Sequence, residues 1–174
     1  MKKVLFFTVY ILFLAACSEE IKNHDNKDPL DFLPNKLAVK VAVNFVKSKI
    51  NSPQVKVFNN MVIVQKGNTR YEIRPENIFY GLIDADTTKD AFISISSYNL
   101  NEFIMKENLI LLKSGDSLKL AYVFEEDIDV MKVDDRYIYG EVHKKPRSSP
   151  LYNCEECKEQ VKYKFENGEL IKEK

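Results

Sequence analysis

The chain has 174 residues, and its 26 Lys and Arg balance 26 Asp and Glu for a formal net charge of +0. A balanced chain without a basic stretch over its body builds no strong positive field, which argues against nucleic acid as the partner. The length suits one domain with one proper core, plus a short extension.

The first 16 residues stand apart. Lys2 and Lys3 form a short basic start, Val4 to Leu14 is apolar except for Thr8 and Tyr10, and Leu14-Ala15-Ala16-Cys17 closes the run. A basic start, an apolar run of ~7–15 residues and small residues at a cleavage site form a secretory pattern. A permanent span needs ~20 apolar residues, so this run is too short. Leu14-Ala15-Ala16-Cys17 resembles the lipobox of bacterial lipoproteins. That resemblance implies cleavage before Cys17, a diacylglycerol on its sulfur and a further acyl chain on its amine. Each buried methylene contributes ~0.8 kcal/mol and two chains hold stably, so such a protein stays on its membrane. By the same resemblance, an aspartate in the place of Ser18 would imply inner-membrane retention, which leaves the outer membrane as the expected location. Ser18-Glu19-Glu20 resembles an acidic signal that sends some lipoproteins to the cell surface.

Losing residues 1–16 leaves 158 residues, with 24 basic against 26 acidic side chains. From residue 17 to residue 35 the chain reads as a lipidated cysteine on a flexible polar tether, too poor in apolar residues to fold alone. His24 lies in it as a solvated side chain. Residues 36–174 read as a single folded domain.

Lys36 to Ile50 carries two patterns. Val39, Val41, Val43 and Phe45 alternate as in a strand, while Leu37, Val41 and Phe45 with Ala38, Ala42 and Val46 form a helical stripe. The length favours a helix, with Asn35 as candidate N-cap and Asn51-Ser52-Pro53 as its stop. Beyond it the runs are β-rich: Gln54–Phe58, Met61–Lys66, Arg70–Arg74, Ala91–Tyr98, Asn108–Lys113, Ser117–Phe124, Ile128–Val133, Tyr137–His143, Val161–Phe165 and Glu169–Ile171. Gly67-Asn68-Thr69, Ser114-Gly115-Asp116, Asp134-Asp135-Arg136 and Asn167-Gly168 are turn signals between neighbouring runs. Strict alternation puts Leu118, Leu120, Tyr122 and Phe124 on one face. The expected fold is α+β, an N-terminal helix packed on an antiparallel meander sheet.

Gly81-Leu82-Ile83-Asp84-Ala85-Asp86-Thr87-Thr88-Lys89-Asp90-Ala91 is the most chemically suggestive loop. It resembles the Gly-Asp-x-Asn-Gly-Asp-Gly-x-x-Asp-Ala loop of FG-GAP-like and dockerin-like calcium repeats. By that resemblance Asp84, Asp86 and Asp90 are metal ligands and calcium the cofactor. Leu82 replaces the family's first aspartate, and Ala85 and Thr87 replace glycines. Calcium takes six to eight oxygens, so the missing carboxylate weakens such a site. The competing reading is a turn whose aspartates cap the backbone.

Cys154-Glu155-Glu156-Cys157 admits a redox pair, a zinc site or a disulfide. A redox pair needs a thioredoxin-like βαβ setting, and here strand-like Val161–Phe165 follows closely. Zinc needs four ligands, and His143 is the only histidine of the folded part. A structural disulfide between Cys154 and Cys157 is the expectation.

Other motifs carry less. Gly115-Asp116-Ser117-Leu118 resembles the GDSL hydrolase signature but lies in a hairpin turn, and the D-x-x-H partner is missing because Gly140 precedes His143 by three. Glu125-Glu126-Asp127-Ile128-Asp129 reads as a solvated strand end. Lys144, Lys145 and Arg147 read as a solvated turn. Tyr71, Tyr80, Tyr98, Tyr122, Tyr137 and Tyr139 read as packing, with stacking on sugars as the alternative. No P-loop, Rossmann fingerprint or zinc-protease helix is present. The expected function is therefore a non-enzymatic binding or structural module of the cell envelope, with a protein or glycan partner and no catalytic residue assigned. The alternatives are a calcium-stabilised domain, an envelope hydrolase, or an inhibitor that presents the Lys144–Cys157 segment.

Overall fold

The computed structural model describes residues 28–173, so Cys17 and the sequence before Asp28 lie outside the described residues. One helix, α1 (Lys36–Lys49), precedes eleven strands: β1 (Gln54–Phe58), β2 (Met61–Lys66), β3 (Thr69–Ile73), β4 (Phe79–Gly81), β5 (Asp90–Asn99), β6 (Glu102–Ser114), β7 (Ser117–Glu125), β8 (Ile128–Asp134), β9 (Tyr137–His143), β10 (Lys158–Glu166) and β11 (Glu169–Glu173). The fold is α+β, as the patterns predict. The strands form two sheets rather than a single meander. The first runs β1-β2-β3-β5-β6-β7, with β4 beside β3 on the same flank of β5, and the second runs β11-β10-β9-β8. All pairings are antiparallel.

The first sheet is the middle layer. Helix α1 turns Ala38, Val39, Ala42, Val43 and Val46 onto one of its faces, at i, i+3/i+4 spacing. They pack on Val62, Val64, Ile73, Ala91, Ile93, Ile95, Leu109 and Leu111. The two alanines let the helix backbone approach the sheet. The second sheet covers part of the opposite face, where Phe92, Ile110, Tyr122 and Phe124 meet Ile128, Ile138, Val161, Tyr163 and Phe165. Each fully buried aliphatic or aromatic side chain contributes ~1.5–3 kcal/mol. Gly81 permits a close backbone approach between the sheets, because a Cβ there would lie 2.5 Å from the Val133 carbonyl oxygen.

Four local readings are corrected. The folded part begins before Asn35: Pro29–Phe32 forms a 3-10 turn, and Leu30 and Leu33 are buried under α1. Asn35 holds the N-cap position as expected, but in the left-handed region (φ 58) its side chain makes no capping bond, and its Nδ2 donates to the Pro75 carbonyl instead at 2.8 Å. Strand β6 starts six residues before the apolar run that marks it. Finally, Leu118, Leu120, Tyr122 and Phe124 do not share a face. Ile110 pairs with Tyr122 and Leu111 with Leu120, so Ala121 is an extra, bulged residue. The bulge flips the alternation. Leu118 joins the helix side, while Tyr122 and Phe124 join the core between the sheets.

Hairpin chemistry explains the compact connections. Asn59-Asn60, Asp135-Arg136 and Asn167-Gly168 place both turn residues at positive φ, the demand of a two-residue I′ turn that follows strand twist. At Gly67 and Gly115 the glycine takes the first turn position with positive φ, as in II′ turns.

Candidate functional site

Strand β5 changes character halfway along the face that looks away from α1. Phe92 is fully buried under the second sheet, but the next positions on that face are Ser94, Ser96 and Tyr98. Register carries the change across three strands. Ser94 pairs with Asn108, Glu72 with Ser96 and Ser96 with Lys106, and Arg70 with Tyr98 and Tyr98 with Phe103. These polar rows floor a cleft of about 400 Å³ between the sheets. Arg74, Asn77 and Phe79 close one side, and Ile128, Asp129 and Val130 of β8 with Arg147 close the other.

A dense ion-pair network fixes the β8 side. Lys106 is 8% exposed. Its Nζ donates to the Ile128 carbonyl and to Asp129 Oδ1, both at 2.9 Å, and lies 3.2 Å from Asp127 Oδ1. Arg147 grips Asp127 with two bonds of 2.9 Å, and the Tyr152 hydroxyl donates to the same carboxylate at 2.8 Å. His143 lies 3.0 Å from the Tyr152 carbonyl oxygen through Nδ1 and 2.8 Å from Asp129 Oδ2 through Nε2. Its ring stacks on the Tyr152 ring at 3.9 Å and 7°. Both neighbours of the imidazole are acceptors, so both contacts are hydrogen bonds only when both nitrogens carry protons.

Burial raises the Asp127 carboxyl, but the hydrogen bonds from Arg147 and Tyr152 and the charges of Lys106 and Arg147 outweigh it and hold it well below the usual carboxylate range. Asp129 is lowered in the same way, burial being outweighed by His143 and Lys106. Arg147 is raised by its bond to Asp127. Burial, then Asp127, raises the Tyr152 phenol. Aromatic contacts extend the network along the cleft rim: Arg70 lies 4.8 Å over Tyr98, Tyr98 meets Phe103 edge-on at 5.8 Å, and Arg147 lies 3.9 Å over Phe103.

The segment 144–157 joins this network from outside. Cys154 and Cys157 form the expected disulfide, and the Lys144 N–H donates to the Cys157 carbonyl at 2.8 Å, closing the base of the loop. Asp127 and Arg147, read from sequence as members of a solvated strand end and a solvated turn, are partners in a half-buried pair. Register across β5 and β6 and a long loop closure bring these residues together, and neither leaves a mark in local sequence. The apolar-to-serine change along β5 was the one available signal.

The acidic loop does bring its three residues together. Carboxylate oxygens of Asp84, Asp86 and Asp90 lie within 4.8 Å of one another. Those carboxylates also hold backbone. Asp90, fully buried, accepts the N–H groups of Ile83 (3.1 Å), Asp84 (3.3 Å) and Lys113 (2.8 Å). Asp84 accepts Asp86 N–H at 2.9 Å, and Asp86 accepts Thr88 N–H at 2.7 Å. Burial raises the Asp84 carboxyl against the Asp86 N–H bond, and the charges of Asp90 and Asp86 add to the rise.

Ser117, the serine of the GDSL letters, donates from its hydroxyl to the Ser114 carbonyl inside its own hairpin. Among the described residues no serine, threonine or free cysteine is hydrogen-bonded to His143. No helix among the described residues is long and apolar enough to cross a membrane. No family model matches the chain, and no curated protein or solved structure shows significant similarity to it.

Proposed function

We propose that this protein is an envelope lipoprotein anchored through Cys17, at the outer membrane and on its outer face, whose domain is a non-enzymatic binding module. The observation that carries the binding reading is the cleft between the sheets. On the β8 side its charged side chains, Lys106, Asp129 and Arg147, are held by ion pairs, and preorganised polar groups in a concave site reduce the cost of ordering on binding. Among the described residues no hydroxyl or thiol nucleophile is hydrogen-bonded to His143, whose ring nitrogens face the Tyr152 carbonyl and the Asp129 carboxylate. The anchor reading rests on the lipobox and the polar stretch after it. Radioactive palmitate should label the wild-type chain and leave Cys17→Ala unlabelled. Label that survives the substitution ends the anchor. Incubating the purified protein with solubilised envelope and identifying what is retained tests the binding module. Turnover of an envelope polymer would replace that module with a hydrolase.

A second reading is a calcium ion held by Asp84, Asp86 and Asp90, favoured by the convergence of the three carboxylates. The ion would need further oxygens from carbonyls and water, since calcium takes six to eight. A ligand that binds only the folded state raises the melting temperature by mass action. A melting temperature identical in millimolar calcium and in chelator disposes of it.

A further inference from the structure

Charge around the cleft is unevenly compensated. At the β8 end Lys106 and Arg147 face two carboxylates, Asp127 and Asp129. At the β3 end Arg70 and Arg74 share one, Glu72, at 3.1 and 3.6 Å. Arg70 holds the nearer place. The Arg74 guanidinium, 53% exposed, makes no hydrogen bond among the described residues and lines the cleft mouth. The Arg70 Nε is buried without a partner. One positive charge is therefore left over at that end, on a planar group suited to an anion with two oxygens.

Along β5, between the ion-paired Glu72 and Lys106, the floor offers hydroxyls. The Ser94 hydroxyl donates to Asn108 Oδ1 at 2.7 Å and keeps its acceptor lone pairs for the cleft. The Ser96 hydroxyl makes no hydrogen bond among the described residues. Tyr98 is fixed between Arg70 and Phe103 and lines the same space, as does Asn77. Purely apolar ligands would strip water from these groups without replacing its hydrogen bonds, at a cost of about 1–3 kcal/mol for each. A small inorganic anion would use Arg74 and leave the floor untouched. The β3 end and the floor are satisfied together by a molecule with many hydroxyls that presents a carboxylate to Arg74.

We infer that the cleft binds an acidic saccharide, with the sugar ring over Ser94, Ser96 and Tyr98 and its carboxylate on Arg74. This inference rests on the binding-module reading and supplies its ligand class.

The probe is trigalacturonate, titrated calorimetrically into the full lipidated protein in a detergent without a sugar headgroup. Binding is expected with a Kd of about 1 mM or tighter. Arg74→Gln should weaken it about tenfold, and so should esterifying the probe's carboxylates, since a lost charge-assisted bond is of that order. Ser96→Val should also weaken it, whereas Lys47→Gln, on the outer face of α1, should not. The inference is overturned if trigalacturonate gives no heat, if its ester binds equally well, or if Arg74→Gln leaves the Kd unchanged. Inorganic phosphate that binds as tightly as trigalacturonate would reduce the site to an anion site and overturn the saccharide assignment. Palmitate labelling is read separately. A labelled protein that ignores the probe loses only this ligand, and an unlabelled one that binds it loses only the anchor.

Discussion

At the scale of single residues, two aspartates organise the molecule in opposite ways. Asp127 is a cation-holder. Because its folded carboxyl titrates below the ordinary value of ~3.9, the unfolded chain takes up the proton first as the pH falls. The stability it contributes is fully present above about pH 4 and is lost as the pH drops through the folded value. Asp129 adds in the same sense. In Asp127→Asn the urea midpoint at pH 7 should fall by the equivalent of roughly 2–3 kcal/mol, the loss expected when bonds to charged groups are cut. Between pH 5 and pH 2, as about the range of carboxylate titration, the variant should then lose less than the wild type does. Equal slopes would mean that the pair is electrostatically idle. Asp90 is instead a backbone-holder, its two oxygens ending three N–H groups from two segments. Asp90→Ala leaves these donors unpaired in a dry place, at a cost of roughly 2–4 kcal/mol. Hydrogen exchange should accelerate first at Ile83, Asp84 and Lys113, and exchange spread evenly over the sheet would contradict that role.

At the scale of elements, the bulge in β7 decides which residues meet. A strand of nine residues serves two cores because Ala121 adds one residue between Leu120 and Tyr122. Deleting Ala121 makes Leu120 and Tyr122 direct neighbours, which point to opposite faces of a regular strand, so Leu118 stays on the helix side and Tyr122 and Phe124 stay between the sheets. The deletion variant should therefore still fold cooperatively, and Ala121→Ser, which keeps the bulge, should lie within about 0.5 kcal/mol of wild type, while a deletion variant that fails to fold would contradict this reading of the register. Denaturation of the purified variants measures this. The same bulge shows why the sequence was only partly legible. Turn residues and alternation mark where strands lie, so α1 and most strands follow directly from Asn51-Ser52-Pro53, Gly115-Asp116 and Asn167-Gly168. A bulge carries no residue signature, and the unbroken spacing of Leu118, Leu120, Tyr122 and Phe124 reads as a single face. Strand β4 escapes because three residues are too few for a period. The first half of β6 escapes because Glu102, Lys106 and Glu107 interrupt its apolar pattern, and two of them are buried on partners that lie far away in sequence. The acidic loop was legible as a convergence of aspartates, and the cleft, built across strands, was not.

At the scale of the whole molecule, the first sheet is a shared wall. Ile93 and Leu109 point into the core under α1, while Phe92 and Ile110, their chain neighbours, point into the core between the sheets. Neither layer can leave without exposing one face of strands that the other layer needs in place. Ion pairs reinforce this from both sides: Lys49 of α1 bonds to Glu107 on one face of β6, and Lys106 on the other face bonds to β8. The cleft depends on this coupling, since its floor belongs to the first sheet and its far wall to the second. The domain should therefore unfold as one unit. Val39→Ala opens the helix-side core, and Phe92→Ala opens the other, at roughly 2 and 3–5 kcal/mol respectively. Each should move a single transition, with far-UV circular dichroism and the near-UV signal of the tyrosines still coinciding. If Phe92→Ala instead separates an early near-UV loss from a later far-UV loss, the second sheet is detaching on its own. In that case the cleft would exist only while the sheets are docked, and Arg74 and Asp129 would face each other only for part of the time.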